Sequence, residues 1–258
     1  MQENLEALWA HLANWPGWSV HLEPDCAWCE SPISHEMLNK VVRFDFSAPK
    51  AEEKLMKIRH HFTSRGIPLG FWLHTPKEED PKREQLRVLG FQLAAQGWSM
   101  VKDLGTPLPV RTGKGVSLMR VYDRETWNGC VRVFGEGFAL PFEVAHAYGE
   151  QMSAGLAPDS PLFHFAATEK GQVLATGSLF IDAQRVAGFY SLAVSPTARG
   201  RGLGKAILAY AINQAVALGC HTMVLRSTIE GFHLFSTTGF LPVGRFELFV
   251  SRPPYKGF

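Results

Sequence analysis

The sequence has no run near the ~20 consecutive apolar residues that a membrane helix needs, so no spanning segment is expected. It also lacks an excess of charge of either sign: 26 lysines and arginines face 24 aspartates and glutamates, a formal net charge of +2. So small an imbalance, with acids balancing bases along most of the chain, gives no argument for nucleic acid or an anionic membrane as a partner, and neither is expected. Cysteine is sparse. The four thiols, Cys26, Cys29, Cys130 and Cys220, are too few for a disulfide framework in 258 residues. Cys26 and Cys29 spell Cys-x-x-Cys. A zinc site would add a second close pair, and a thioredoxin-like site a preceding strand and a following helix. Neither accompanies it, and the thiols read as reduced side chains. No His-Glu-x-x-His spacing and no Ser/His/Asp set can be picked out, so no metal and no serine nucleophile are expected. The opening stretch, 1–18, reads as an amphipathic helix with early acids rather than a basic n-region and apolar core, which makes a cytoplasmic location the expectation.

What is present is an ordinary globular composition, 46% hydrophobic and 19% charged, with length for one large or two modest domains. The clearest interruption is DLGTPLPVRTGKG (103–115), where Gly, Pro and Thr replace any apolar period. A division into 1–108 and 116–258 follows. In the first region, 51–65 has helical spacing, GIPLGFWLH reads as turn and strand, and EQLRVLGF as a helix closed by Gly90. After the break, VSLMRVYD alternates like a strand and two helices follow, the second opening at Pro141. Three strand-like runs separated by EKG and DAQ then form a meander. A helix from 201 to 218 ends at Gly219, TMVLRST is a strand, GFHLFSTTGF a short helix stopping at Gly239, and VGRFELFV a last strand. LRVLGF (86–91) and LFSTTGF (234–240) echo one another: each follows a strand, ends a helix at Gly-Phe and precedes another apolar run.

The segment SLAVSPTARGRGLGKAIL (191–208) carries the chemistry. It runs strand, turn, helix, with Gly200, Gly202 and Gly204 where the helix begins. A helix start exposes unpaired N–H groups with partial positive charge, and glycine lets an anion approach the backbone closely. Two common phosphate loops do not fit. A Walker A loop counted back from Gly204-Lys205 would put Arg199 at its first glycine and Ala206 at its magnesium ligand, and a dinucleotide fingerprint would not space its glycines two and two.

The pattern Arg199-Gly200-Arg201-Gly202-Leu203-Gly204, behind a strand ending Leu-Ala-Val-Ser-Pro, resembles the GNAT superfamily of N-acetyltransferases, whose central motif binds the pyrophosphate of acetyl-coenzyme A. The family's second motif, Asn-x-x-Ala-x-x-Leu-Tyr-x-x-x-Gly-Phe, has its counterpart at 228–240: Leu234, Gly239 and Phe240 match, while Thr228, Gly231 and Phe235 depart. The resemblance covers 116–252. It implies a mixed, mostly antiparallel twisted sheet flanked by helices, an α/β fold, with the echo suggesting a degenerate GNAT-like half in 1–108, one cofactor site, and a catalytic half in 116–258. It further implies that Leu192, Ala193 and Val194 hold the pantetheine arm by main-chain hydrogen bonds, and that Arg199, Gly200, Arg201, Gly202, Leu203, Gly204 and Lys205 surround the pyrophosphate, with Thr228 and Phe235 alongside.

The implied reaction is transfer of acetyl from acetyl-coenzyme A to an amine of a small molecule or a protein. It needs a neutral amine, a polarised carbonyl and a stabilised thiolate. The Leu192 amide is the implied polariser. The tyrosine that often protonates the thiolate is replaced by Phe235, leaving Tyr190, His233, Ser227, water or no acid at all, or a domain that binds acyl-coenzyme A without catalysis. Glu143, Glu150, His146 and His164 are candidate bases by position, though no spacing singles one out. Phe134, Phe138, Phe142, Phe163, Phe165, Phe189 and Tyr190 could contribute an apolar pocket. The His60-His61 pair reads as a solvated helix face.

Overall fold

The structure is a computed structural model describing residues 2–13, 17–75 and 80–252. In chain order its elements are α1 (Gln2–Leu12), β1 (Ser19–Leu22), β2 (Cys26–Glu30), β3 (Lys40–Phe44), α2 (Ala51–Thr63), β4 (Leu69–Thr75), α3 (Lys82–Val88), β5 (Gln92–Asp103), β6 (Val116–Arg120), α4 (Arg124–Phe138), α5 (Phe142–Met152), β7 (Leu162–Glu169), β8 (Gln172–Ile181), β9 (Val186–Val194), α6 (Leu203–Ala217), β10 (Thr222–Thr228), α7 (Phe232–Ser236) and β11 (Leu241–Ser251). Residues 14–16 of the expected first helix lie outside the described residues.

The chain forms two compact units that a single cut does not separate. One holds residues 3–8 and 100–241, the other 9–99 and 242–258. The last strand therefore counts with the first half of the chain, because β11 pairs antiparallel with β4 from Arg245↔Thr75 to Ser251↔Leu69.

In the unit of 3–8 and 100–241 the strand order is β10-β9-β8-β7-β6. The meander pairs antiparallel throughout. Its first turn is tight because Lys170 and Gly171 both take positive φ, 48° and 80°. Only β10 runs parallel, to β9, reached through the crossover helix α6. Helices cover both faces. A Cβ at Gly177 would lie 2.8 Å from Ile207 of α6, and one at Gly137 of α4 would lie 2.9 Å from Ala193 of β9, so both helices sit close to the sheet. Eight residues of α6 are buried, among them Ala206, Ile207, Ala211, Ile212 and Ala215, the stripe expected of a crossover helix. The Gly/Pro stretch before β6 is tied to this helix: Asn213 accepts from Leu108 N at 2.7 Å and donates to Leu108 O at 2.9 Å.

In the unit of 9–99 and 242–258 the order is β1-β2-β3-β4-β11-β5. Helix α2 buries Ala51, Leu55, Ile58 and Phe62, a 3.6-residue stripe, into a core with Phe71, Leu86, Phe91 and Phe249. Strand β3 pairs parallel with β4 only at Lys40↔Gly70 and Val41↔Phe71. The strands β1, β2 and β3 were not read from the sequence; they are short, and two of them flank the Cys-x-x-Cys stretch.

Candidate functional site

The site begins where two parallel strands part. β9 and β10 pair from Val186↔Thr222 to Phe189↔Leu225 and no further, although β9 continues to Val194 and β10 to Thr228. Beyond Phe189, β9 has lost its partner on that edge. On its other edge the ladder to β8 is irregular: Ser178↔Tyr190 is followed by Thr176↔Ala193, so Ser191 and Leu192 together face Gly177. This is a bulge, which bends a strand and re-aims its groups. Ser191 takes φ 56°, a left-handed value unusual for a residue with a Cβ.

The glycine turn lies at the far end of this strand. A short 3-10 turn, Pro196–Ala198, leads through Arg199 to Gly200 and Gly202, both at φ 77°, and Gly202 is the N-cap of α6. A Cβ at either glycine would meet nothing within 4 Å. The glycines therefore serve the left-handed backbone and leave the outer side of the turn open. Ala206 is the first residue of α6 whose amide reaches back to a backbone carbonyl, that of Gly202 at 3.0 Å. The amides of Leu203, Gly204 and Lys205 lie ahead of it, in the first turn, where a helix offers them no acceptor. Arg201 is bidentate to Glu169, at 2.6 and 3.2 Å, and holds that carboxyl below the usual range. Its charge is already matched. Arg199 and Lys205 are exposed.

Behind the bulge stands a pair that the sequence did not disclose. The hydroxyls of Tyr148, on α5, and Ser191 share a 2.6 Å hydrogen bond. The Tyr148 ring stacks on Phe134 of α4 at 4.7 Å, and burial pushes its phenol up to about 12. One residue earlier, Tyr190 donates to Asn4 Oδ1 at 2.6 Å, and Asn4 Nδ2 donates to Asp182 and to Val186 O, each at 2.9 Å. Burial raises the Tyr190 phenol as well. No side chain would fit at Gly188, where a Cβ would stand 1.9 Å from Asn4 Oδ1.

The remaining candidates sort by place. Leu192 and Val194 are half-buried and Ala193 is buried. Phe235 is 6% exposed, with its ring edge-on to Phe240 at 5.9 Å. Ser227 is buried and donates to Thr228 O at 2.7 Å, while Thr228 Oγ1 accepts from Gly231 N at 3.2 Å. The side chain of His233 is exposed. His164 is fully buried: its Nε2 lies 2.8 Å from Met152 O, its Nδ1 2.8 Å from Ser178 Oγ, and its ring is stacked on Trp127. Burial depresses it to about 4, so it is a neutral core group at ordinary pH. Glu150 is bidentate to Arg124, and Glu143 and His146 are exposed. Of the aromatic set, Phe163, Phe165 and Phe189 are core, whereas Phe138 and Phe142 are 43% and 80% exposed.

In the other unit, Cys26 and Cys29 are buried, free thiols within one strand. The one cluster among the described residues with metal-like spacing, Glu23, Asp25 and Cys26, is closed by Lys54, whose ammonium lies 2.7 Å from Glu23 and 2.5 Å from Asp25. His61 bonds to Glu30 at 2.9 Å and His60 is exposed.

Residues 132–240 match the Acetyltransferase (GNAT) family. No curated protein matches the chain. Among solved structures, a GCN5-related N-acetyltransferase from Kribbella flavida is 16% identical with a TM-score of 0.73, covering 97% of this chain and 95% of its own. One from Sphaerobacter thermophilus is 14% identical with a TM-score of 0.65, covering 90% and 82%. A tandem GNAT protein from the clavulanic acid biosynthesis pathway is 13% identical with a TM-score of 0.68, covering 95% and 87%. At such identities the likeness is one of fold, and it spans both units. Among the described residues no helix is long and apolar enough to cross a membrane.

Proposed function

We propose, from the match of residues 132–240 to the Acetyltransferase (GNAT) family, that the protein transfers an acetyl group from acetyl-coenzyme A to a primary amine by direct attack within a ternary complex. The observation that carries this reading is the junction of an open cleft with an open anion site. β9 parts from β10 after Phe189, and the same strand runs into a turn whose glycines leave their outer side clear.

Residues of this chain divide the work. The first-turn amides of Leu203, Gly204 and Lys205, with those of the turn from Arg199 to Gly202, would take the pyrophosphate, since backbone donors and the helix dipole act together there. The free edge of β9, from Leu192 to Val194, would hold the pantetheine arm as an added strand. Acetyl-coenzyme A supplies the activated acetyl group. The Leu192 amide, turned by the bulge, would polarise its carbonyl as a fixed donor. Phe235 has no proton to give, and a thiol of ordinary pKa, ~8.5, leaves without a dedicated acid at little cost. Tyr190 and His233 stay candidates for proton transfer, the first already donating to Asn4 and the second facing solvent. Residues 1–108 are proposed to be a degenerate GNAT-like half without a cofactor site, and the acceptor to be an amine of a small molecule or of a protein.

The buried, hydroxyl-free Phe235 supports one other reading, an acyl-coenzyme A binding protein without turnover. Both are tested by following acetyl-coenzyme A consumption with a panel of polyamine, arylalkylamine, aminoglycoside, amino-acid and peptide amines. Acetylated product supports transfer. Calorimetric binding with no product from any amine supports the sensor, and no binding at all defeats both.

A further inference from the structure

Ser191 occupies a backbone conformation that only glycine adopts freely, at the one place where β9 is bulged on one edge and unpaired on the other. A residue with a Cβ leaves such a conformation unless its surroundings hold it there. Here the surroundings act from two sides. Ser191 Oγ is hydrogen-bonded to Tyr148 Oη at 2.6 Å. The Tyr148 ring is fixed in turn by stacking on Phe134, which is 7% exposed and belongs to α4. Two residues after Ser191, the same helix closes on the strand, where Gly137 would place a Cβ 2.9 Å from Ala193. Leu192 is held between these two fastenings.

We propose that Tyr148 is a positioning residue: its hydroxyl clamps Ser191 in the left-handed conformation and so fixes the direction of the Leu192 amide toward the acetyl carbonyl. This rests on the acetyl-coenzyme A reading of the cleft. Tyr148 touches no reacting atom in this scheme and acts only through residue 191. That distinguishes it from a proton donor, because a clamp becomes dispensable once the clamped residue no longer resists its conformation, whereas a donor does not. Glycine at 191 provides that condition.

The test uses the full chain and [1-13C]acetyl-coenzyme A as probe, with infrared detection of the bound thioester carbonyl and calorimetry for affinity. In the wild type the carbonyl band moves to lower frequency on binding, the signature of a hydrogen bond to it. In Tyr148→Phe the band returns at least halfway to its free position, while the dissociation constant changes by less than about threefold, because the pyrophosphate contacts carry the affinity. In Tyr148→Phe/Ser191→Gly the band moves back to the wild-type position. Ser191→Ala, which keeps the Cβ and loses the bond, behaves as Tyr148→Phe does and stands in if that variant does not fold. An unmoved band in Tyr148→Phe or Ser191→Ala overturns the clamp. A double variant no better than Tyr148→Phe overturns it too, and shows that the hydroxyl acts in its own right. Wild-type protein that binds no acetyl-coenzyme A overturns the reading of the cleft together with the clamp, so the two failures are told apart by the first titration.

Discussion

Replacing Gly202 with leucine separates the fold from the ligand site. The structure sets both sides of the comparison. At φ 77° a leucine is strained, at a cost of about 1–2 kcal/mol for a left-handed L-residue. A small part of this is offset by the lower entropy of the unfolded chain. Nothing within 4 Å opposes the new Cβ, so no packing penalty is added. A loss of about 1–2 kcal/mol lowers the melting temperature of a chain this size by roughly 2–8 °C. The effect on the pyrophosphate is larger. A leucine side chain would enter the space through which an anion reaches the amides of the turn and of Leu203, Gly204 and Lys205. Hydrogen bonds to a charged group contribute about 1.5–3 kcal/mol each. Loss of two gives about 3–6 kcal/mol, a factor of at least about 100 in the dissociation constant. Coenzyme A titrated calorimetrically into wild type and Gly202→Leu, beside thermal melts of both, decides the matter. Unchanged affinity would refute the placement of the pyrophosphate. Affinity lost together with a melting temperature lower by tens of degrees would show instead that the glycine serves the fold.

Three further outcomes are expected. Calorimetry with coenzyme A returns one site per chain, because α2, unlike α6, carries Glu52 and Glu53 in its first turn, where an anion would have to bind; a stoichiometry of two would contradict this. His164 binds its proton at about 4 in the folded state and 6.5 unfolded, so the unfolded chain takes up a proton first, and stability present above pH 6.5 declines as the pH falls toward 4. The decline amounts to about 3 kcal/mol at most, and urea midpoints of wild type and His164→Gln across this range should converge at low pH; parallel curves would remove His164 as the cause. Phe235→Tyr leaves coenzyme A affinity within about threefold and turnover unchanged or modestly raised; a large loss of binding would mean that the ring packs directly on the ligand.

Much of this fold could be read from residue order because its signals are local. The meander is announced by its turns, and the helix ends at Gly90, Gly219 and Gly239 all carry the positive φ, 82°, 77° and 90°, that a glycine C-cap supplies. The glycine turn before α6 is equally local. What could not be read depends on partners far apart in sequence. Ser191 sits in FYSLAV, with no glycine to mark a left-handed residue, and its partner Tyr148 lies 43 positions away. Asn4 meets Tyr190 across 186 positions. His164 is a candidate base from the sequence only through the resemblance, because its strand is one that lines the acceptor cleft in that family. Its burial between Trp127, Ser178 and Met152 is a tertiary fact, and it turns a base candidate into a core hydrogen-bonding group.

The likeness between the two halves extends to the elements around the proposed cofactor site. In each, a strand leads through a turn to a crossover helix and a parallel strand that pairs with the first only near its start: β3, α2 and β4 in one, β9, α6 and β10 in the other. The difference lies in what meets the helix start. α2 has Lys50 as its left-handed N-cap, φ 59°, and carries Glu52 and Glu53 in its first turn. Those carboxylates answer the helix dipole from within the chain, Glu53 being paired as well with Lys57 at 2.6 Å. α6 has glycine at the same point and no acid in its first turn. Phe44 and Phe46 reach the core beside β3, whereas Leu192 and Val194 leave β9 with a half-buried edge. One strand, turn and helix is thus satisfied by its own side chains. The other is left with donors and space that an anionic, thioester-bearing ligand would complete.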